Sequence, residues 1–222
     1  MSTASCSPDW TMLFTDSSSS ETVAGRAPSN ATHVLYHPSG RVWIIARAHF
    51  GVLTSTEGRN RAVALIGAGP VPAPALDAAL RSSHSPRGVD AALSALPGVF
   101  LVAIRTGRQQ VIRGPATGLR RWFSRQFPGP DGPFVVADRA SLLGGPNPGN
   151  ASVDIDHDVV AMRLLEPVPH PLNLLTPWRG VHALFPHDRY VLDAGQRARI
   201  ERWWSPPTSS GELPVTEGAG AV

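Results

Sequence analysis

Lysine is missing from this chain: all 20 basic side chains are arginine, set against 17 acidic ones for a net charge of +3. Exclusive arginine use beside 21 glycines and 22 prolines fits a high-GC coding bias more simply than it fits a ligand. The arginines are scattered apart from Arg120-Arg121 and the series Arg197, Arg199 and Arg202. A nucleic-acid binder clusters its charge on one face and interleaves aromatics, so no nucleic-acid partner is expected. Cysteine is nearly missing too. The single Cys6 excludes an internal disulfide framework, and without CxxC or clustered Cys/His spacing no zinc site is expected. The eight histidines form no HExxH or HxH pair, and His182 and His187 stand at poor spacing for joint ligation on a helix. No metal is expected.

Other absences narrow the class further. No apolar run approaches the roughly 18 residues of a membrane span. The opening "MSTASCSPDW" has neither a basic nor an apolar region of the secretory kind. A soluble, cytoplasmic protein with no membrane partner is the expectation. No phosphate loop is found: in "GAGP" (67–70) proline removes an amide that a phosphate would need, and "LLGGPNPG" fails in the same way. No Gly-x-Ser-x-Gly elbow occurs either.

What is present is a chain of 222 residues, 42% of them hydrophobic, enough to bury a sizeable core. "WTMLFTD" (10–16) reads as a strand, and the serine-rich stretch to Asn30 as a flexible connection. "HVLYH" and "RVWIIAR" form a hairpin around Pro38-Ser39-Gly40, and "GVLTST" with "RAVALIG" a second pair. "APALDAALRSS" and "GVDAALSAL" have helical periodicity. "VFLVAIRT", "QQVIR", "GLRRWFSRQF" and "PFVVAD" read as four strands in a meander. "DRASLLGG" turns helical with Asp138 as its cap and Gly144-Gly145 as its stop. Asp154 or Asp156 caps an amphipathic helix with Ile155, Val159 and Met162 on one stripe. Beyond Pro206 no periodicity remains, as in a linker or disordered end. Strand blocks alternating with helices favour an α+β layered domain, two sheets with helices outside.

Few residues suggest chemistry. Cys6 could act as a nucleophile with its own α-amine as base if the chain were processed after Ser5; otherwise it is an incidental thiol. Arg120 and Arg121 could clamp an anion or a partner's carboxylate, or stand on alternating faces of a strand. Trp203 and Trp204 could cover their own domain or dock on a neighbour. The stretch "VIRGPATGLRRWF" (111–123) puts a long, glycine-anchored connection between apolar runs where a tight hairpin would need two to five residues.

Four blocks carry a resemblance. "LPGVFLVAI" (96–104) is similar to the Gly-Met/Val-Phe-Ala-Phe strand of the glutaminase-like half of the asparagine synthetase family. "RGPATGLRRWF" resembles its Arg-Asp-x-x-Gly-x-x-Pro-Leu-Tyr loop, with Arg113, Gly118 and Phe123 aligned and Asp replaced by Gly114. "FVVADRASLL" (134–143) resembles its Phe-Ala-Ser-Glu-x-Lys-Ala-Leu segment, and 178–204 its closing segment. Within the family, "MRLLEPVPHPLNLLTPWRGV" followed by "RWWSPP" looks like the lasso peptide macrolactam synthetases of actinobacteria. The resemblance implies an Ntn-hydrolase-like four-layer αββα sandwich with mostly antiparallel sheets, in which Gly118 supplies a backbone angle other residues resist. It implies a flexible extension over 1–9, a glutaminase-like (class II amidotransferase-like) domain over 10–207 and a linker or disordered tail over 208–222.

Departures from the family pattern shape the functional expectation. Active glutaminases begin at a mature cysteine followed by glycine, whereas here Cys6 precedes the first strand by about four residues. Their Asn-Gly-Glu-x-Tyr-Asn pocket would fall near "RAVALIGAGPVP" (61–72), which holds neither the asparagines nor the glutamate. The Ser-Gly-Gly-x-Asp-Ser loop of the ATP-using half is missing from these residues. The expectation is a catalytically degenerate domain, a pseudoenzyme of lasso peptide biosynthesis, with no catalytic, cofactor-binding or metal-binding residue carried over. ATP and Mg are implied only for the synthetase half that would be its partner; the lasso precursor peptide and its leader peptidase are further implied partners. A precursor-peptide binding module, or an active amidotransferase exposing Cys6 after processing, are the alternatives.

Overall fold

A computed structural model describes residues 9–49, 51–129, 131–145, 155–165, 167–168, 172–193 and 197–205. Its strands sort into two six-stranded antiparallel sheets. The first sheet is built around β1 (Trp10–Phe14), every residue of which is buried. A strand so apolar belongs in the middle of a sheet, and β1 pairs with β3 (Val42–Arg47) on one side and β9 (Phe134–Ala137) on the other. β2 (His33–Tyr36) flanks β3, while β8 (Phe123–Gln126) and then β10 (Val181–Ala183) continue beyond β9. The second sheet runs β12 (Ala198–Arg202), β11 (Asp188–Leu192), β7 (Gln109–Arg113), β6 (Val99–Thr106), β5 (Arg61–Ala68) and β4 (Val52–Glu57). The four strands expected as one meander are therefore divided: β6 and β7 lie in the second sheet, β8 and β9 in the first. The long connection "GPATGLRRW" between β7 and β8 crosses from one sheet to the other.

Three apolar layers hold four layers of structure together. Between the sheets lie Leu13, Ile44, Leu101, Ile112, Trp122 and Val136 among others. Outside the second sheet, Leu76, Leu80, Val89 and Leu93 of α2 (Ala73–Arg81) and α3 (Pro86–Leu93) cover Val63, Leu65 and Val102. Outside the first sheet, Val23 of α1 (Ser20–Ala24) and Leu143 of α4 (Ala140–Leu143) cover Trp10, Met12 and Val135. This is the α+β, four-layer αββα sandwich with antiparallel sheets. Hydrogen bonds cross the middle layer: Trp43 Nε1 donates to Gln110 Oε1 at 3.0 Å, and the Tyr190 hydroxyl donates to Ser124 Oγ at 2.8 Å. Burial pushes the Tyr190 phenol up to about 12.

Local departures from the sequence reading have physical causes. The serine stretch contains α1, anchored by buried Val23 and by the Ser20 hydroxyl donating to the Thr15 carbonyl at 2.6 Å. β8 begins only at Phe123, so Arg120 and Arg121 sit in the crossover rather than on strand faces. Asp138 does not cap α4, whose N-cap is Arg139 without a side-chain bond. Of the two proposed caps for α5 (His157–Met162), Asp156 does the work, accepting from the Asp158 and Val159 amides at 3.1 Å; Asp154 is outside the described residues. Of the expected stripe on α5 only Val159 is buried.

Candidate functional site

A cleft of about 420 Å³ opens at the head of β1, at the strand ends of the two sheets. It gathers segments remote in sequence: Asp9, Gly67 at the end of β5, Val99 at the start of β6, Leu119, Arg120 and Arg121 of the crossover, and Asp138 and Arg139 after β9. Gly67 is required there. Its φ is +148°, and a Cβ would lie 2.3 Å from the Val99 carbonyl oxygen. Gly118, in the same crossover, has φ +67°, and a Cβ on it would come within 2.8 Å of Pro186 Cγ. The expected special backbone angle at Gly118 is thus present, and it turns the chain so that the three residues after it face the cleft.

Arginine and carboxylate side chains dominate the lining. Arg120 donates to Asp138 Oδ2 at 2.7 Å and to the Ile66 carbonyl at 3.4 Å, and Asp138 Oδ1 accepts from the Thr11 amide at 2.8 Å. Burial pushes the Asp138 carboxyl above its ordinary range, against the opposing pull of the Thr11 amide and Arg120. Asp9 accepts from the His49 amide at 3.1 Å and pairs with the His49 ring, while its carbonyl accepts from Arg139. Burial works against ionisation of Asp9, yet the His49 hydrogen bonds outweigh it and hold the carboxyl below the usual range. Arg121 makes no hydrogen bond or ion pair with any described residue. The lining among the described residues offers no thiol, hydroxyl or amine to act as a nucleophile. Its chemistry is that of an anion-tolerant cleft whose two carboxylates are already engaged.

Other candidates fall elsewhere. Cys6, Pro206 and Pro207 lie outside the described residues. Arg113 faces away from the cleft, onto the outer side of the second sheet. There its Nε donates to Asp90 Oδ1 at 2.5 Å, and its guanidinium stacks 4.0 Å from the Trp203 ring centroid. Arg189 donates to the other Asp90 oxygen at 2.8 Å. Trp203 donates to the Pro186 carbonyl at 3.0 Å and so packs on its own domain, whereas Trp204 is 39% exposed. His182 sits on β10, and His187 stacks on Phe185 at 5.5 Å. No group of three His, Cys, Asp or Glu residues that could hold a metal occurs among the described residues, and no described helix is long and apolar enough to cross a membrane. Asp9, Gly67 and Arg139 carry no local motif. The Asp9–His49 and Arg120–Asp138 partnerships join residues far apart in sequence and have no signal short of the fold.

The chain is similar in shape to glutamine phosphoribosylpyrophosphate amidotransferase from B. subtilis complexed with ADP and GMP, at 14% identity and a TM-score of 0.46. That match covers 87% of this chain and 48% of the other. It is similar also to the allosteric regulatory enzyme of purine biosynthesis, at 13% identity and a TM-score of 0.48, with the same coverage. The chain spans about half the length of these solved chains. No family model matches it, and neither does any curated protein. The two-sheet, four-layer architecture stands on the strand pairing itself.

Proposed function

We propose that this chain is a glutaminase-like domain that has lost glutamine hydrolysis and works by packing against an ATP-using synthetase half, in lasso peptide macrolactam formation. One observation carries the reading. Val99 of the first resembling block, Arg120 and Arg121 of the second and Asp138 and Arg139 of the third line a single cleft. Gly67, from the stretch where the family places its glutamine pocket, lines it too, at the head of the first strand. Amide hydrolysis needs a nucleophile, a base and donors to the oxyanion, and the described lining supplies arginines and engaged carboxylates instead. In this reading the adenylation chemistry belongs to the synthetase half.

Support for packing comes from the surface around α5. Val159, Leu175 and Phe185 line a hollow of about 370 Å³ together with Asp156, Arg179 and His182, and Leu164 and Phe185 are 83% and 44% exposed. These side chains are proposed as the face that meets the synthetase half. The test is co-expression with a synthetase half bearing the Ser-Gly-Gly-x-Asp-Ser loop. Co-purification and ring closure of a lasso precursor are expected only when both chains are present; ring closure by the synthetase half alone refutes the reading.

A further inference from the structure

We propose that the end of the sandwich opposite the cleft binds a small oxyanion, the phosphoryl or carboxylate group of a metabolite, on the guanidinium of Arg105. A cavity of about 170 Å³ lies there, bounded by Asp16 after β1, His37 after β2, Asn60 before β5 and Arg105 at the end of β6. It has room for about five waters, enough for one oxyanion and part of its carrier.

Arg105 is the reason to look. Three arginines are buried to similar extents, Arg105 at 5%, Arg113 at 5% and Arg125 at 6% exposure. Arg113 is neutralised by Asp90 at 2.5 Å, and Arg125 donates to the Leu143 and Gly145 carbonyls at 2.6 and 3.1 Å. Arg105 has one long contact, 3.4 Å to the Arg59 carbonyl, and its Nε has no partner. The Trp43 ring, 5.2 Å away, gives it a face to rest on but no counter-charge. A guanidinium keeps its proton at neutral pH, so the site holds a buried cation with no bonded counter-ion. Asp16 acts on it through space only, and its hydrogen bonds, from Ser39 Oγ at 2.7 Å and Arg41 at 3.1 Å, both end on Oδ1. His37 is committed as well: its Nε2 donates to the Phe14 carbonyl at 3.0 Å. What fits is a bound oxyanion that accepts from Arg105, with Asn60 and Arg108 on the cavity wall.

The experiment is thermal unfolding of the full chain in inorganic phosphate, in acetate and in chloride at fixed ionic strength and pH. At about 100 times its dissociation constant the bound anion raises Tm by about 5–10 °C. A saturating rise in phosphate alone assigns a phosphoryl group, and one in acetate a carboxylate. Arg105→Met removes the rise and Arg121→Gln keeps it. No saturable rise in either anion, a rise that survives Arg105→Met, or one abolished by Arg121→Gln overturns the proposal. A second measurement needs no Arg105 variant: phosphate or acetate saturably alters tryptophan emission in the wild type, and the change is missing from Trp43→Phe. An unchanged emission, or one that changes equally in Trp43→Phe, also overturns it.

Discussion

Replacing Asp90 by alanine tests what holds the outer helical layer on the second sheet. Asp90, on α3, is 1% exposed and faces two guanidiniums, Arg113 of β7 at 2.5 Å and Arg189 of β11 at 2.8 Å. Removing one partner from a buried ion pair costs about 3–5 kcal/mol, because the charge left behind has lost both water and counterion. Arg189 keeps Glu201 at 3.5 Å, but Arg113 retains only Ser94 Oγ at 3.3 Å, a 3.5 Å contact to the Gly114 carbonyl and the Trp203 face. The loss should therefore fall within that range, most of it at Arg113. For a domain of this size each kcal/mol moves Tm by about 2–4 °C, so Asp90→Ala lowers it by about 6–20 °C. Urea unfolding of the purified chain measures the same quantity, with an unchanged slope expected. Asp90→Leu combined with Arg113→Met recovers part of the loss, since it replaces a charge pair by apolar volume. A loss below about 1 kcal/mol, the value of a solvated surface pair, refutes the reasoning.

Further predictions concern the crossover, the pH response and the apolar surface. Gly118→Ala forces a side chain into φ +67° and against Pro186, costing about 1–3 kcal/mol by chemical denaturation; an unchanged midpoint contradicts the strained turn. His37 is 4% exposed, and burial holds its pKa below the ordinary 6.5, with Arg105 and Arg41 adding to the effect and the Phe14 carbonyl and Asp16 opposing it. The unfolded chain therefore takes up a proton at higher pH than the folded one. Stability is retained above about pH 6.5 and falls as pH drops below it; His37→Gln flattens that slope, and an unaltered slope removes His37 as its source. Leu164→Glu and Phe185→Glu leave the unfolding free energy within about 0.5 kcal/mol of wild type, as exposed sites do, while weakening capture of a synthetase half. Equal capture moves the contact surface elsewhere.

How much of this was legible in the sequence depended on the range of each interaction. β5 and β6 pair along eight residues, and the runs "RAVALIG" and "VFLVAIRT" that form them already read as strands in the sequence. Gly118 was legible through the resembling loop, since glycine takes a left-handed angle at the least cost. The division of β6–β9 between two sheets was not, since alternation along a strand says nothing of which sheet receives it. Asp138 read as a helix cap because an aspartate stands before an apolar run. Its real partners, the Thr11 amide and Arg120, are 127 and 18 residues away. The cleft was partly legible: its blocks were visible one by one, but that they meet is a property of the two-sheet closure. Arg105 gave no sign at all, because the missing partner of its Nε is defined only by everything packed around it.

The most direct test of the central claim is the release of ammonia and glutamate from glutamine by the purified full-length chain, beside its Cys6→Ala variant. The proposed loss of glutamine hydrolysis predicts equal, background rates for the two. Saturable ammonia release that disappears in Cys6→Ala would contradict it, and would make this an active glutaminase.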